Sequence, residues 1–162
     1  MVGDARPLAI VDIDGVVADV RHRLRHVEGS PKDWGAFFAA AVADPPHAEG
    51  LAVVARLAED HEVVFLTGRP EACRDDTERW LDDHGLGDHR LVMRPEGIRR
   101  PAAELKRELL AGLAAGRVVG VVVDDDEMVI SAMLEAGHPT FHATWGDRST
   151  ALHEAQEVDG RS

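Results

Sequence analysis

Short apolar runs alternate with amphipathic stretches along this chain. The strand-like runs are Pro7 to Asp14, Glu62 to Gly68, Arg90 to Pro95, Arg117 to Asp125 and Pro139 to Thr144. Each is apolar or β-branched and is bounded by Gly, Pro or charge, as strands are. Between them, Glu49 to Asp60, Glu71 to His84, Ala102 to Ala115 and Glu127 to Ala136 read as helices, the last three ending against Gly85, Gly116 and Gly137. Alternation of this kind predicts an α/β fold, Rossmann-like, with a parallel five-stranded sheet and helices on both faces.

The stretch from Gly15 to His61 is longer than a simple crossover. Within it "SPKDWGAFFAAAV" predicts a helix with Ser30 as N-cap, Pro31 at the first helical position and Asp33 in the first turn. Trp34, Phe37, Phe38, Ala41 and Val42 share one face of that helix and are expected in the core. A single domain over 1–148 with a helical insert at about 16–48 follows, and then a polar tail, 149–162, whose last residues should fray. An insert this short makes at most a small cap, so the mouth of the sheet is expected to be fairly open.

The net charge of -12 argues against a protein coated in nucleic acid. Two basic clusters, "RHRLRH" at Arg21 to His26 and "MRPEGIRRP" at Met93 to Pro101, are local exceptions. No apolar run approaches the ~18 residues that cross a bilayer. The first ten residues mix acid and base and do not read as a signal peptide, so a cytoplasmic location without a membrane partner is expected. The single cysteine, Cys73, cannot form an internal disulfide.

Asp12 and Asp14 stand inside the first apolar run, where a bare carboxylate costs several kcal/mol. Parallel α/β sheets bind ligands beyond the carboxyl ends of their strands. The strands converge there on Asp12 and Asp14, on Thr67, Gly68 and Arg69, on Arg94, and on Asp124, Asp125 and Asp126. Clustered carboxylates call for a hard cation, which points to Mg²⁺. Asp125 or Asp126 also suits the N-cap of the following helix. No Cys/His set has zinc spacing, and His22 and His26 lack a third ligand. Lys106 sits on an apolar helix face with Ala102, Ala103, Leu109, Leu110 and Leu113. Either its stem snorkels to solvent or its ammonium reaches the aspartates.

Taken in order from Ala9 to about Trp145, "DIDGVV", Thr67 of "FLTGR", Lys106 and "VVVDDD" resemble the four motifs of the haloacid dehalogenase (HAD) superfamily of phosphotransferases. The chain is further similar to the phosphatase half of phage-type polynucleotide kinase/phosphatase, in which "TGRP" recurs, and departs from that subgroup at Asp126, where arginine is usual. The resemblance implies that Asp12 is the nucleophile of an aspartyl-phosphate mechanism. It makes Asp14 the group that protonates the leaving oxygen and then activates water. It implies phosphate binding by Thr67, Gly68, Arg69 and Lys106. Mg²⁺ would sit on Asp12, the backbone carbonyl of Asp14 and Asp124, with Asp125 as a further ligand or its support.

The function expected is a Mg²⁺-dependent phosphomonoesterase acting on a 3′-phosphorylated DNA or RNA end. Arg94, Arg99 and Arg100 flank the strand ends as candidate nucleic-acid contacts, because arginine forks match phosphodiester oxygens. A partner kinase or ligase is left unnamed. A small-molecule phosphatase or nucleotidase, a phosphoryl-transferring mutase and a non-catalytic phosphate-binding module are the alternatives.

Overall fold

Every residue of the first strand is buried, so an apolar layer must cover each of its faces. The computed structural model describes residues 5–146 together with Leu152, Ala155 and Gly160. In chain order its elements are β1 (Leu8–Val11), α1 (Arg25–Glu28), α2 (Trp34–Ala39), α3 (Ala48–Leu57), β2 (Glu62–Pro70), α4 (Arg74–Asp83), β3 (Arg90–Arg94), α5 (Ala102–Leu113), β4 (Val119–Asp124), α6 (Glu127–Glu135) and β5 (Thr140–His142). The strands form one five-stranded parallel sheet in the order β3-β2-β1-β4-β5. Ala9 and Val11 of β1 pack with Val54 of α3 and with Trp80 and Leu81 of α4. Leu8 and Ile10 pack on the other face with Leu110 of α5 and with Val129 and Met133 of α6. This is the α/β architecture that the alternation predicts.

The chain winds outward from β1 to β2 and β3, then returns to β4 and β5 on the opposite side. That reversal places the switch point between β1 and β4, where parallel sheets open to ligands. β1 ends at Val11, before Asp12, so the two aspartates are not strand residues as the apolar run suggests. They leave the sheet at its carboxyl end through a turn in which Asp14 pairs with Ala18 and Gly15 takes a φ of 79°.

The insert differs from expectation in two details. Its helix α2 starts at Trp34, and Asp33, not Ser30, is the N-cap, because the Asp33 side chain accepts from the Ala36 N–H at 2.9 Å. Phe37 and Ala41 are buried as expected, but Val42 is 53% exposed. Residues 40–43 tighten into a 3₁₀ turn, whose three-residue period rotates Val42 away from the core face. Val20, Leu24, Val27 and Phe37 form a separate small core with Leu152. Ala155 and Gly160 are also buried. The fraying expected at the end of the tail falls mostly on residues outside those described.

α3 fixes the turn that follows Asp14. The His47 N–H donates to the Val17 carbonyl at 2.8 Å, and a Cβ on Gly50 would stand 1.9 Å from the Val16 carbonyl oxygen. Only a glycine lets helix and turn meet this closely. Gly50→Ala should therefore lower stability by about 3 kcal/mol, the upper part of the range for overpacking, and lower Tm by several degrees in thermal unfolding. An unchanged Tm would show that the turn yields freely.

Candidate active site

Two adjoining charge clusters occupy the carboxyl ends of β1, β2 and β4. In the first, Lys106 of α5 places Nζ 2.7 Å from Asp124 Oδ2 and 3.1 Å from Asp12 Oδ1. Lys106 is buried, so its ammonium reaches the aspartates and does not snorkel. Burial by itself would lower its pKa, but Asp12 and Asp124 outweigh burial and raise it, so Lys106 is a fixed cation. Asp12 Oδ1 also accepts the Ile13 N–H at 2.8 Å, and Asp124 Oδ1 accepts the Asp126 N–H at 2.9 Å. Asp12 Oδ2 carries no hydrogen bond among the described residues.

Asp12, Asp124 and Asp125 each offer an oxygen, all within 4.8 Å of one another, and all three residues are buried. Asp12 and Asp124 share the Lys106 ammonium, and Asp125 adds a third buried carboxylate beside them. Burial first, and repulsion from Asp124 second, push the Asp12 carboxyl well above its ordinary value. The all-oxygen donor set and its buried position fit Mg²⁺. Gly15 suits this place: its φ of 79° strains any other residue, and a Cβ would lie 2.1 Å from Asp125 Oδ2, so the carboxylate would have to shift.

The second cluster is balanced internally. Asp14 Oδ1 accepts from Arg69 Nη2 at 2.6 Å, from Arg69 Nε at 3.0 Å and from Arg23 Nη2 at 3.0 Å. Both arginines then turn to Asp44. Arg23 donates through Nε and Nη2 at 2.8 Å each, and Arg69 through Nη2 at 3.1 Å. His22 Nε2 lies 2.6 Å from Asp44 Oδ1. Arg69 Nη1 donates to Thr77 at 3.2 Å, and the Arg23 guanidinium lies 4.3 Å above the Phe37 ring. Burial acts to raise the Asp14 carboxyl, but Arg69 and then Arg23 outweigh it and hold it at about 2. Asp12 and Asp14, two positions apart in sequence, thus have carboxyls pushed in opposite directions, the pattern that gives paired acids different duties.

The remaining expected residues divide. Thr67 is buried beside this cluster, and its Oγ1 accepts the Arg69 N–H at 3.1 Å, leaving the hydroxyl proton to donate. Arg69 is turned to Asp14, not outward. Arg94 turns inward: it is 4% exposed, with Nε on the Gly68 carbonyl at 3.0 Å and Nη1 on the carbonyls of Ile98, Arg100 and Gly160. These bonds tie the guanidinium to the backbone of β2, of the loop after β3 and of Gly160. Arg100 pairs with Glu104 and Glu108, so its charge is already neutralised. Arg99 is exposed and has no ion-pair partner among the described residues. Asp126 caps α6 by accepting the Met128 N–H at 2.9 Å.

Sequence reading missed Arg23 and Asp44. Arg23 lies in a basic run that reads as a solvated face, and Asp44 in a polar loop gives no signal at all. The structure makes Asp44 the shared acceptor of two buried arginines. Asp44→Ala should cost roughly 3–5 kcal/mol by leaving them without that counter-ion, measured by urea unfolding at neutral pH. A variant as stable as the parent would mean that the arginines find another acceptor.

No curated protein matches this chain significantly. Among solved structures, the Pnkp1/Rnl/Hen1 RNA repair complex contains a chain that is 25% identical, with a TM-score of 0.72 over 90% of this protein and 46% of that chain. This protein therefore spans about half the length of that relative. A haloacid dehalogenase-like hydrolase from Streptococcus pneumoniae shares the fold at 12% identity and a TM-score of 0.62, over 94% and 92% of the two chains. The HAD-hydrolase YfnB from Bacillus subtilis, solved with magnesium bound, shares it at 11% identity and a TM-score of 0.59, over 85% and 88%. No helix among the described residues is long and apolar enough to cross a membrane. The sequence profile of the polynucleotide kinase PNKP phosphatase domain matches residues 7–147. A match over that span, on a HAD fold with these carboxylates at its strand ends, identifies the chain as a member of that family of HAD-type phosphatases.

Proposed function

We propose that this chain is a Mg²⁺-dependent phosphomonoesterase that works through an aspartyl-phosphate and removes 3′-phosphate from nucleic-acid ends. The observation that carries the mechanism is the contrast between the two aspartates. Among the described residues, Asp12 has one oxygen held by Lys106 and Ile13 and no hydrogen bond to the other, whereas Asp14 is anchored by arginines through Oδ1. In the first half-reaction Asp12 Oδ2 attacks phosphorus and the bond to the leaving oxygen breaks. Lys106 and the Thr67 hydroxyl face the charge that develops on the phosphoryl oxygens. A bound phosphate dianion works against the arginines and raises the Asp14 carboxyl, which lets Asp14 hand a proton to the leaving oxygen. In the second half-reaction Asp14, again a carboxylate, takes the proton of the water that cleaves the aspartyl-phosphate, so Asp12 and inorganic phosphate are restored. Mg²⁺ on Asp12, Asp124 and Asp125, with the Asp14 carbonyl, would supply the positive charge that lets one anion attack another.

The family supports a polynucleotide end as substrate, and the 25%-identical chain comes from an RNA repair complex. A net charge of -12 confines nucleic-acid contact to local cations such as Arg99 and makes it weak and salt-sensitive. The test compares a 3′-phosphorylated oligonucleotide with a free 3′-nucleoside monophosphate at low salt. The oligonucleotide should show the higher kcat/KM. If the mononucleotide wins, the enzyme is a small-molecule nucleotidase.

Substitutions in the first cluster should move stability in opposite directions. Asp12→Asn relieves a carboxylate that burial and Asp124 already disfavour, so unfolding free energy should hold or rise while turnover falls to background. Lys106→Met leaves Asp12 and Asp124 buried without their cation and should cost roughly 3–5 kcal/mol without divalent ions, a loss that Mg²⁺ partly restores. Persistent turnover in Asp12→Asn would exclude the covalent route.

A further inference from the structure

A cleft of about 320 Å³ opens between α2 and the β3–α5 loop. We propose that it holds the base of the terminal nucleotide whose phosphate sits on Asp12, a role that rests on the 3′-end reading above. Its place argues for this. Pro70, one of its walls, follows the Thr67–Gly68–Arg69 segment directly. Between Leu66 and Pro70 the strand bulges, four residues advancing against the two from Val92 to Arg94, which is roughly 7 Å at about 3.3 Å per paired step and within the reach of a single nucleotide. Arg94, another wall, donates to the Gly68 carbonyl at 3.0 Å, so cleft and phosphate segment are one rigid unit.

The lining argues for a flat ring joined to an anion. Phe38, Pro70, Pro95 and Ile98 supply apolar surface, and Phe38 is held in an aromatic cluster by Trp34 and Phe37 at centroid distances of 5.8 and 5.5 Å. An aromatic face of this kind stacks any base. Arg99 adds at the rim an exposed guanidinium that has no ion-pair partner among the described residues. Glu96, the one acid among the described lining residues, accepts the Ala72 N–H at 2.5 Å and is thereby engaged at the start of the helical segment that leads into α4. Gly160 forms a further wall, its carbonyl fixed by Arg94 Nη1 at 2.6 Å. Volume, aromatic wall and cationic rim fit a nucleobase with its 5′-side phosphodiester on Arg99.

The experiment uses the full chain and two 3′-phosphorylated trinucleotides, identical except that one lacks the 3′-terminal base, with glycerol phosphate as a third substrate. The intact trinucleotide should exceed the abasic one about tenfold in kcat/KM, through KM, the size of one stacking contact. In Phe38→Ala that ratio should fall to about one. The ratio is internal to each variant, so partial unfolding does not alter it. Arg99→Gln, on an exposed loop, should flatten the dependence of log kcat/KM on log salt by about 0.7, the share of one phosphate contact on a single strand. Equal rates for intact and abasic substrates in the parent protein, or a ratio unmoved by Phe38→Ala, would overturn the cleft assignment and leave the 3′-end reading standing. Hydrolysis of glycerol phosphate with neither trinucleotide cleaved would bring down the 3′-end reading itself.

Discussion

A carboxylate taken out of water costs several kcal/mol unless a cation or a set of donors replaces its hydration. Asp12, Asp14, Asp44, Asp124 and Asp125 are all buried at the mouth of one sheet. How their charge is compensated decides what each can do. Asp14 and Asp44 meet Arg23 and Arg69, two charges against two, and the set closes on itself. Asp12 and Asp124 share Lys106, and Asp125 brings a third buried carboxylate oxygen within 4.8 Å of theirs. That carboxylate trio is the part of the site whose donors suit a hard divalent cation.

The fold serves this division. β1 and β4 lie side by side with the switch point between them, which brings Asp12 against Asp124 and Asp125. α5 returns over the other face and delivers Lys106 from its second turn. The insert has a different task. Its 3₁₀ segment carries Arg23 and the loop after α2 carries Asp44, so a unit with its own small core clamps Asp14 from above. Its length suggested a minor cap over an open mouth, and it contributes two buried charged groups to the site. Gly15 and Gly50 make the approach possible at the turn, where any Cβ would meet the Asp125 carboxylate or the Val16 carbonyl.

The same separation explains why the basic residues cannot be read as one strip. Arg69, Arg94, Arg99 and Arg100 look alike along the chain, yet they have distinct partners. Arg69 holds an acid, Arg94 holds four carbonyls, Arg100 holds two glutamates, and Arg99 faces solvent. A guanidinium already engaged inside the protein must share its five donors between that partner and any ligand.

What the sequence determined by itself was the set of features that local physics encodes. Alternating periodicity specified the elements and hence the parallel sheet, since side-chain period follows from backbone geometry. Asp12 and Asp14 stood out because a carboxylate in an apolar run demands a partner, and Lys106 stood out because a cation on an apolar helix face does too. The helix start at Asp33 and the exposure of Val42 escaped because cap choice and a local 3₁₀ turn depend on a few degrees of backbone. Arg23, Asp44 and the inward turn of Arg94 were decided only by the tertiary structure. Arg23 and Asp44 are 21 residues apart, Asp14 and Arg69 are 55 apart, and Arg94 and Gly160 are 66 apart. Pairing at such separations is set by which segments the packed core brings together, and a charged residue in a loop has the same local sequence whether it ends in water or in a buried ion pair.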